Sequence, residues 1–197
     1  MIAMIDDSTA AILAGGLGTR LGGASKAFLE VGGRTILARQ LAVLRPLFFE
    51  ILVVAADPEP YAGLGVRTVV DLFAGKGAPG GVHAALAAAS TGWVFCLACD
   101  MPFVRPEAIE LLAGRRAGAQ AVVPLRGGFL EPLFAFWSKS LEGPLSAALG
   151  AGNPSLALVL EAAGAARVTE AELAAIDPGC RSLENVNTLE DLARARG

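Results

Sequence analysis

Short, nearly continuous apolar runs alternate with helix-period stripes through the first half of the chain. Residues 10–14, 51–56, 66–70 and 93–99 have the length and apolar continuity of strands buried on both faces. Asp57, Asp71 and Asp100 follow the last three of these runs. Between them, Ile36, Leu37, Leu41, Leu44 and Leu47 form one stripe of a helix over 34–47, closing near Pro46. An alanine-rich helix is predicted over 80–90, and another over 106–116, where Pro106 suits a first helical turn. Strand and helix in alternation predict an α/β fold: a single Rossmann-like domain over 1–197, with a mostly parallel sheet, right-handed crossovers and helices on both faces. Such sheets bind ligands at the carboxyl ends of their strands. Three polar features are expected there: the loop after the first strand, Asp71 and Asp100.

The second half is less regular. Strands are expected at 121–125 and 133–137 around a Gly127–Gly128 turn, and helices at 144–149 and 154–163. A last helix is expected near Thr188, with Asp191 at capping-box spacing. Hydrophobic residues make up 54% of the chain, but no run approaches the length of a membrane span. Asp6 and Asp7 stand where a signal peptide would carry basic residues, so a cytoplasmic location is expected. A formal charge of −3 offers no broad basic field for nucleic acid. Cys96 and Cys99 fall in an apolar run and face opposite ways along a strand, which argues for structural thiols rather than a redox pair or metal knuckle. His83 has no Ser or Cys partner in view and is read as incidental.

The first strand runs into the segment with the most chemistry: Leu13, Ala14, Gly15, Gly16, Leu17, Gly18, Thr19, Arg20, Leu21, Gly22, Gly23, Ala24, Ser25, Lys26. Glycines let backbone N–H groups turn inward and cradle phosphate oxygens, and Arg20 and Lys26 bring two cations to the same loop. A Walker loop is excluded, because Lys26 comes too late and lacks a following hydroxyl. A dinucleotide fingerprint is excluded because Leu21 stands where the third glycine is required.

Leu13-Ala14-Gly15-Gly16, then Arg20, Gly22 and Lys26, resembles the nucleotide loop of the molybdenum cofactor guanylyltransferases. The resemblance extends from Leu13 to about Leu192. It implies a nucleotide-binding half over about 9–115 and an acceptor-binding half over about 116–197. It also implies that Gly15, Gly16, Gly18, Gly80, Gly81 and Asp71 contact the nucleotide alongside Leu13 and Ala14, and that Gly16 favours GTP. Asp100 ends an apolar strand and offers hard oxygen to Mg²⁺; Cys99-Asp100-Met101-Pro102 is similar to the family's metal segment. Lys26 is expected to neutralise the triphosphate, with Arg20 assisting or anchoring the loop. Glu131 and Pro132 resemble the part that faces the pterin, and Asn185-Val186-Asn187-Thr188 the segment near the metal and second substrate.

The implied reaction is Mg²⁺-dependent transfer of GMP from GTP to molybdopterin, in contact with molybdoenzymes or other cofactor-biosynthesis proteins. Ser25 stands where the family more often has Asp or Pro, and Ala55-Ala56-Asp57 where it often has Asn. Three readings therefore stay open beside it: cytidylyl transfer, another phosphorylated acceptor, and a non-catalytic nucleotide-binding or cofactor-delivery protein.

Overall fold

The computed structural model describes residues 3–15, 26–71, 73, 75–152, 154–187 and 191. In chain order its elements are β1 (Ser8–Leu13), β2 (Glu30–Val31), β3 (Arg34–Thr35), α1 (Ile36–Leu44), β4 (Glu50–Val54), β5 (Arg67–Val69), α2 (Gly77–Ala88), β6 (Trp93–Ala98) and α3 (Pro106–Ala113). The chain continues through β7 (Ala121–Arg126), β8 (Phe129–Leu130), β9 (Phe134–Ser138), α4 (Glu142–Ala151), α5 (Leu156–Ala162), β10 (Ala166–Val168) and α6 (Glu170–Ala174). A 3₁₀ turn covers Lys26–Phe28, and Pro178–Leu183 holds two short 3₁₀ turns that meet across a kink at Gly179 and Cys180.

The main sheet has the order β10-β7-β9-β6-β1-β4-β5, with β8 hairpinned onto β7. Strands β5, β4, β1 and β6 run parallel, as the apolar runs predict. Strand β9 runs antiparallel to both β6 and β7, so the parallel pattern breaks in the second half. Chain order steps outward from β1 through β4 to β5, then returns to β6 on the other side of β1. That reversal opens a crevice at the carboxyl ends of β1 and β6, the place where open α/β sheets bind ligands.

Alternation along each strand feeds two apolar layers. Ala10, Ile12, Phe95 and Leu97 face α1, α3 and α6, whereas Ala11, Leu13, Val94 and Cys96 face α2, α4 and α5. Phe95 packs against Phe48, Phe134 and Phe136 at centroid distances of 5.9, 5.2 and 5.0 Å. Fully burying each such ring stabilises the fold by about 1.5–3 kcal/mol. Cys96 and Cys99 lie in opposite layers, both as free thiols. Burial pushes the Cys96 thiol far above its ordinary range and the Cys99 thiol up to about 12, which leaves both unreactive.

Helices α1, α2, α4 and α5 begin two or three residues from where the hydrophobic pattern places them, and α1 and α2 show why. Arg34 and Thr35 pair with β2 instead of opening the helix, and α1 starts at Ile36 because the Thr35 hydroxyl caps it, accepting from the Ala38 N–H at 3.1 Å. It stops at Leu44, close to Pro46, which has no N–H to continue it. Helix α2 starts at Gly77, three residues earlier than expected, so Gly80 and Gly81 lie inside the helix and do not open it. Pro79 fits there because first-turn N–H groups have no intrahelical acceptor. Among the described residues no helix is long and apolar enough to cross a membrane.

Candidate active site

The carboxyl end of β6 leads directly into Cys99 and Asp100. Three backbone hydrogen bonds fix that exit: Cys99 N–H donates to Leu13 C=O at 3.2 Å, Ala98 N–H to Leu133 C=O at 2.8 Å, and Val186 N–H to Asp100 C=O at 2.8 Å. Buried Gln40, on α1, donates from one Nε2 to both Ala98 C=O and Met101 C=O, at 2.8 and 2.9 Å. Gln40 was not among the predicted site residues. The signal was present, since it is a polar residue on the buried face carrying Leu37, Leu41 and Leu44.

These braces hold the Asp100 carboxylate at the crevice floor, where Lys26 Nζ meets Asp100 Oδ2 at 3.0 Å. The same ammonium donates to Asn187 Oδ1 at 2.5 Å. Asn187 is positioned in turn by its own N–H, which donates to Asp191 Oδ2 at 3.0 Å. Residues 26, 100 and 187 thus converge from three distant parts of the chain on one ion-paired cluster. The Lys26 and Asp100 side chains remain partly accessible, at 27% and 17%. The cluster abuts a cavity of about 490 Å³ lined by Phe103, Arg126, Arg181, Asn185 and Asn187.

Asp100 and Asn187 supply hard oxygen donors, and this donor set fits a divalent cation. Among the described residues no three His, Cys, Asp or Glu side chains converge. A small cation that keeps waters and substrate phosphates as its remaining ligands needs no more than that. Glu131 enters from the loop before β9. Burial raises its pKa above the ordinary 4.5; Arg126 opposes the rise and the Asp100 charge adds to it. Arg126 itself is anchored through Nη1 to Leu183 C=O.

Asp71 follows β5, the far edge of the parallel half. Its Oδ1 accepts from Phe73 N–H at 2.7 Å, closing a tight Asx turn. Its carboxylate lies over Gly80 so closely that a Cβ there would come within 2.8 Å of Oδ1 and closer still to Oδ2. Gly81 backs onto Leu13, whose Cδ2 would be 3.7 Å from a Cβ at that position. Gly80 therefore admits the Asp71 carboxylate to the helix surface, while Gly81 meets the end of β1 at a distance that a side chain would also allow. Ala14 N–H donates to Val54 C=O at 2.8 Å, and Gly15 is exposed beyond it. Gly16, Gly18 and Arg20 lie outside the described residues, as does Thr188. His83 is buried edge-on to Phe73 at 4.9 Å, away from any nucleophile partner predicted or described.

Comparison with known proteins matches residues 10–169 to a MobA-like NTP transferase domain. A probable molybdenum cofactor guanylyltransferase of Pelotomaculum thermopropionicum is 36% identical, over 96% of this chain and 92% of that protein. A molybdenum cofactor guanylyltransferase of Pseudomonas putida is 37% identical, over 92% of this chain and 93% of its own. Among solved structures, molybdopterin-guanine dinucleotide biosynthesis protein A from Archaeoglobus fulgidus superposes with a TM-score of 0.81 at 31% identity, covering 95% of this chain and 96% of that one. A cytidylyltransferase from Thermus thermophilus shares the fold, with a TM-score of 0.68 at 24% identity.

Proposed function

Because the chain belongs to the MobA-like NTP transferase family, we propose that this nucleotidyltransferase moves GMP from GTP to the terminal phosphate of molybdopterin, releasing pyrophosphate. The observation that carries the reading is the Lys26–Asp100–Asn187 cluster at the β1/β6 crevice. The guanylyltransferase names of relatives covering nearly the whole chain support GTP as the nucleotide and molybdopterin as the acceptor.

In the reaction an acceptor phosphate oxygen attacks the α-phosphorus of GTP. A new P–O–P bond forms, the bond from the α-phosphorus to the bridging oxygen breaks, and pyrophosphate leaves with that electron pair. Both reactants are anions, so fixed positive charge lowers the barrier. Asp100 and the Asn187 amide oxygen would hold Mg²⁺, which would supply positive charge to screen the facing phosphates. Lys26 transfers its ammonium from Asp100 and Asn187 to the triphosphate, where it stabilises charge on the departing pyrophosphate. Arg20 assists from the glycine loop. Asp71 accepts from the N–H edge of guanine, its carboxylate seated on Gly80, and Leu13, Ala14, Gly15, Gly16, Gly18 and Gly81 are the further nucleotide contacts. Asn185, Arg126 and Glu131 face the pterin phosphate from the second half of the chain. The product would pass to molybdoenzymes in the cytoplasm.

Pyrophosphate release is measured with Mg²⁺ and each of the four ribonucleoside triphosphates, with and without molybdopterin. Release with GTP only when molybdopterin is present is the expected result. CTP in its place would assign cytidylyl transfer, and no release with any triphosphate would overturn molybdopterin as the acceptor, leaving another phosphorylated acceptor or a binding-only role.

A further inference from the structure

A second concavity, of about 430 Å³, opens beside the acceptor cavity and shares Phe103 and Arg181 with it. Arg34, Arg39, Arg105 and Arg181 line it against one carboxylate, Asp177. Asp177 is fully buried, and its Oδ2 accepts from Ser182 N–H at 2.8 Å, so its charge supports the wall from behind. Arg105 and Arg181 each have a glutamate nearby, at 3.6 and 3.8 Å, but these are loose pairs between half-exposed side chains. Exposed pairs of that kind are worth about 0–1 kcal/mol and leave the arginines available. On a chain of net charge −3, this is a local reversal of sign.

Two of the arginines are already ordered. Arg39 donates from Nε to Pro102 C=O at 3.0 Å and from Nη1 to Val31 C=O at 3.3 Å. The Arg181 guanidinium lies 4.2 Å over the Phe103 ring. Side chains ordered in advance lose less entropy on binding. Exposed Ala42, half-exposed Val43 and the Phe103 ring add apolar surface between the charges. A free phosphate would use the arginines and gain nothing from that surface. A polypeptide segment presenting carboxylates beside an apolar side chain uses both, and arginine with aromatic rings is the composition of protein-binding hot spots.

We infer that this groove docks an acidic, apolar-bearing segment of a partner protein, holding that partner at the mouth of the acceptor cavity. The groove's occupant does not depend on which nucleotide or acceptor the enzyme uses; only the identity of the neighbouring cavity as the acceptor's rests on the proposed function.

The test uses the full-length protein and a short fluorescein-labelled peptide of alternating Glu and Leu that carries one photoreactive Leu. Fluorescence anisotropy should show salt-sensitive binding that Arg34→Glu/Arg105→Glu weakens at least about tenfold, while pyrophosphate release with free substrates is unchanged. The photolabel should map to the tryptic segment holding Ala42 and Val43. Equal binding by both proteins, or a label elsewhere, would overturn the inference. Binding of poly-Glu as tight as that of the Glu-Leu peptide, with displacement of both by inorganic phosphate, would make the groove a small-anion site. Wild-type dimers in sedimentation that the double variant dissolves would make the occupant a second copy of the chain. Failure of the nucleotide reading would appear only in the turnover assay.

Discussion

Asp100 and Asp71 each follow a parallel strand, yet the chain treats their carboxylates in opposite ways. Asp100 is held by a side-chain cation, Lys26, that substrate can draw off. Asp71 is held by a backbone N–H two residues on and by the bare surface of Gly80, neither of which can move aside. One site is therefore built to exchange partners and the other to keep a fixed shape. Under the proposed reaction, charge neutralisation during transfer would use the first property and recognition of a flat base the second.

Removing the exchangeable group should have the largest effect. Asp100→Ala should cut turnover by about 10³-fold or more, on the order of 4 kcal/mol, with thermal melting close to wild type because the side chain is partly accessible. Pyrophosphate release and calorimetry together check this, and unchanged turnover would remove Asp100 from the chemistry. Against the fixed-shape site, Gly80→Ala forces the Asp71 carboxylate away. It should raise KM for the nucleotide about tenfold while leaving kcat near wild type. The same change favours helix by up to about 1 kcal/mol, so a higher melting temperature with unaltered KM would show that Asp71 does not read the base.

Smaller effects separate the two sites by what supports them. Gln40 braces only the Asp100 loop, so Gln40→Leu removes the side-chain donor from Met101 C=O and leaves Ala98 C=O only the longer bond from Met101 N–H at 3.4 Å. A loss of about 1–3 kcal/mol in stability is expected, together with a fall in kcat and little change in nucleotide affinity by titration calorimetry. Glu131 also bears on the Asp100 side alone. Its raised pKa means that folding favours the protonated form, so its contribution to stability is present below the ordinary value of 4.5 and is lost as pH rises through the raised value. Glu131→Gln should therefore match wild type at low pH and melt progressively higher than wild type above it. Parallel melting curves at every pH would show that Glu131 is not desolvated.

The parallel half could be read from sequence because strands buried on both faces leave long apolar runs, each with its aspartate at the exit. Asp100 and Lys26 were legible for the same reason, and Asn187 through its motif. Residues defined by close packing were not. Gly80 reads in sequence as the start of a helix beside the nucleotide and proves to be the space into which Asp71 fits. Gln40 was marked only as a polar residue on an apolar helix face, its carbonyl partner 58 positions away, and Arg126 and Arg181 carry no local pattern, since their partners are a carbonyl and a ring 57 and 78 positions away. The antiparallel course of β9 was equally hidden, because apolar alternation reads the same in either direction.

That reversed strand separates two histories that the chain can follow. Since β9 runs against β6, the segment reaching the crevice is the loop that precedes it, closed at its other end by a two-residue turn at Gly127 and Gly128, both with positive φ. Rewriting 126–133 would change what meets the second substrate while β1, β4, β5 and β6 keep their register. The hairpin is thus an exchangeable cartridge on a constant frame. Grafting it between relatives is a direct route to enzymes that put the same nucleotide on new acceptors.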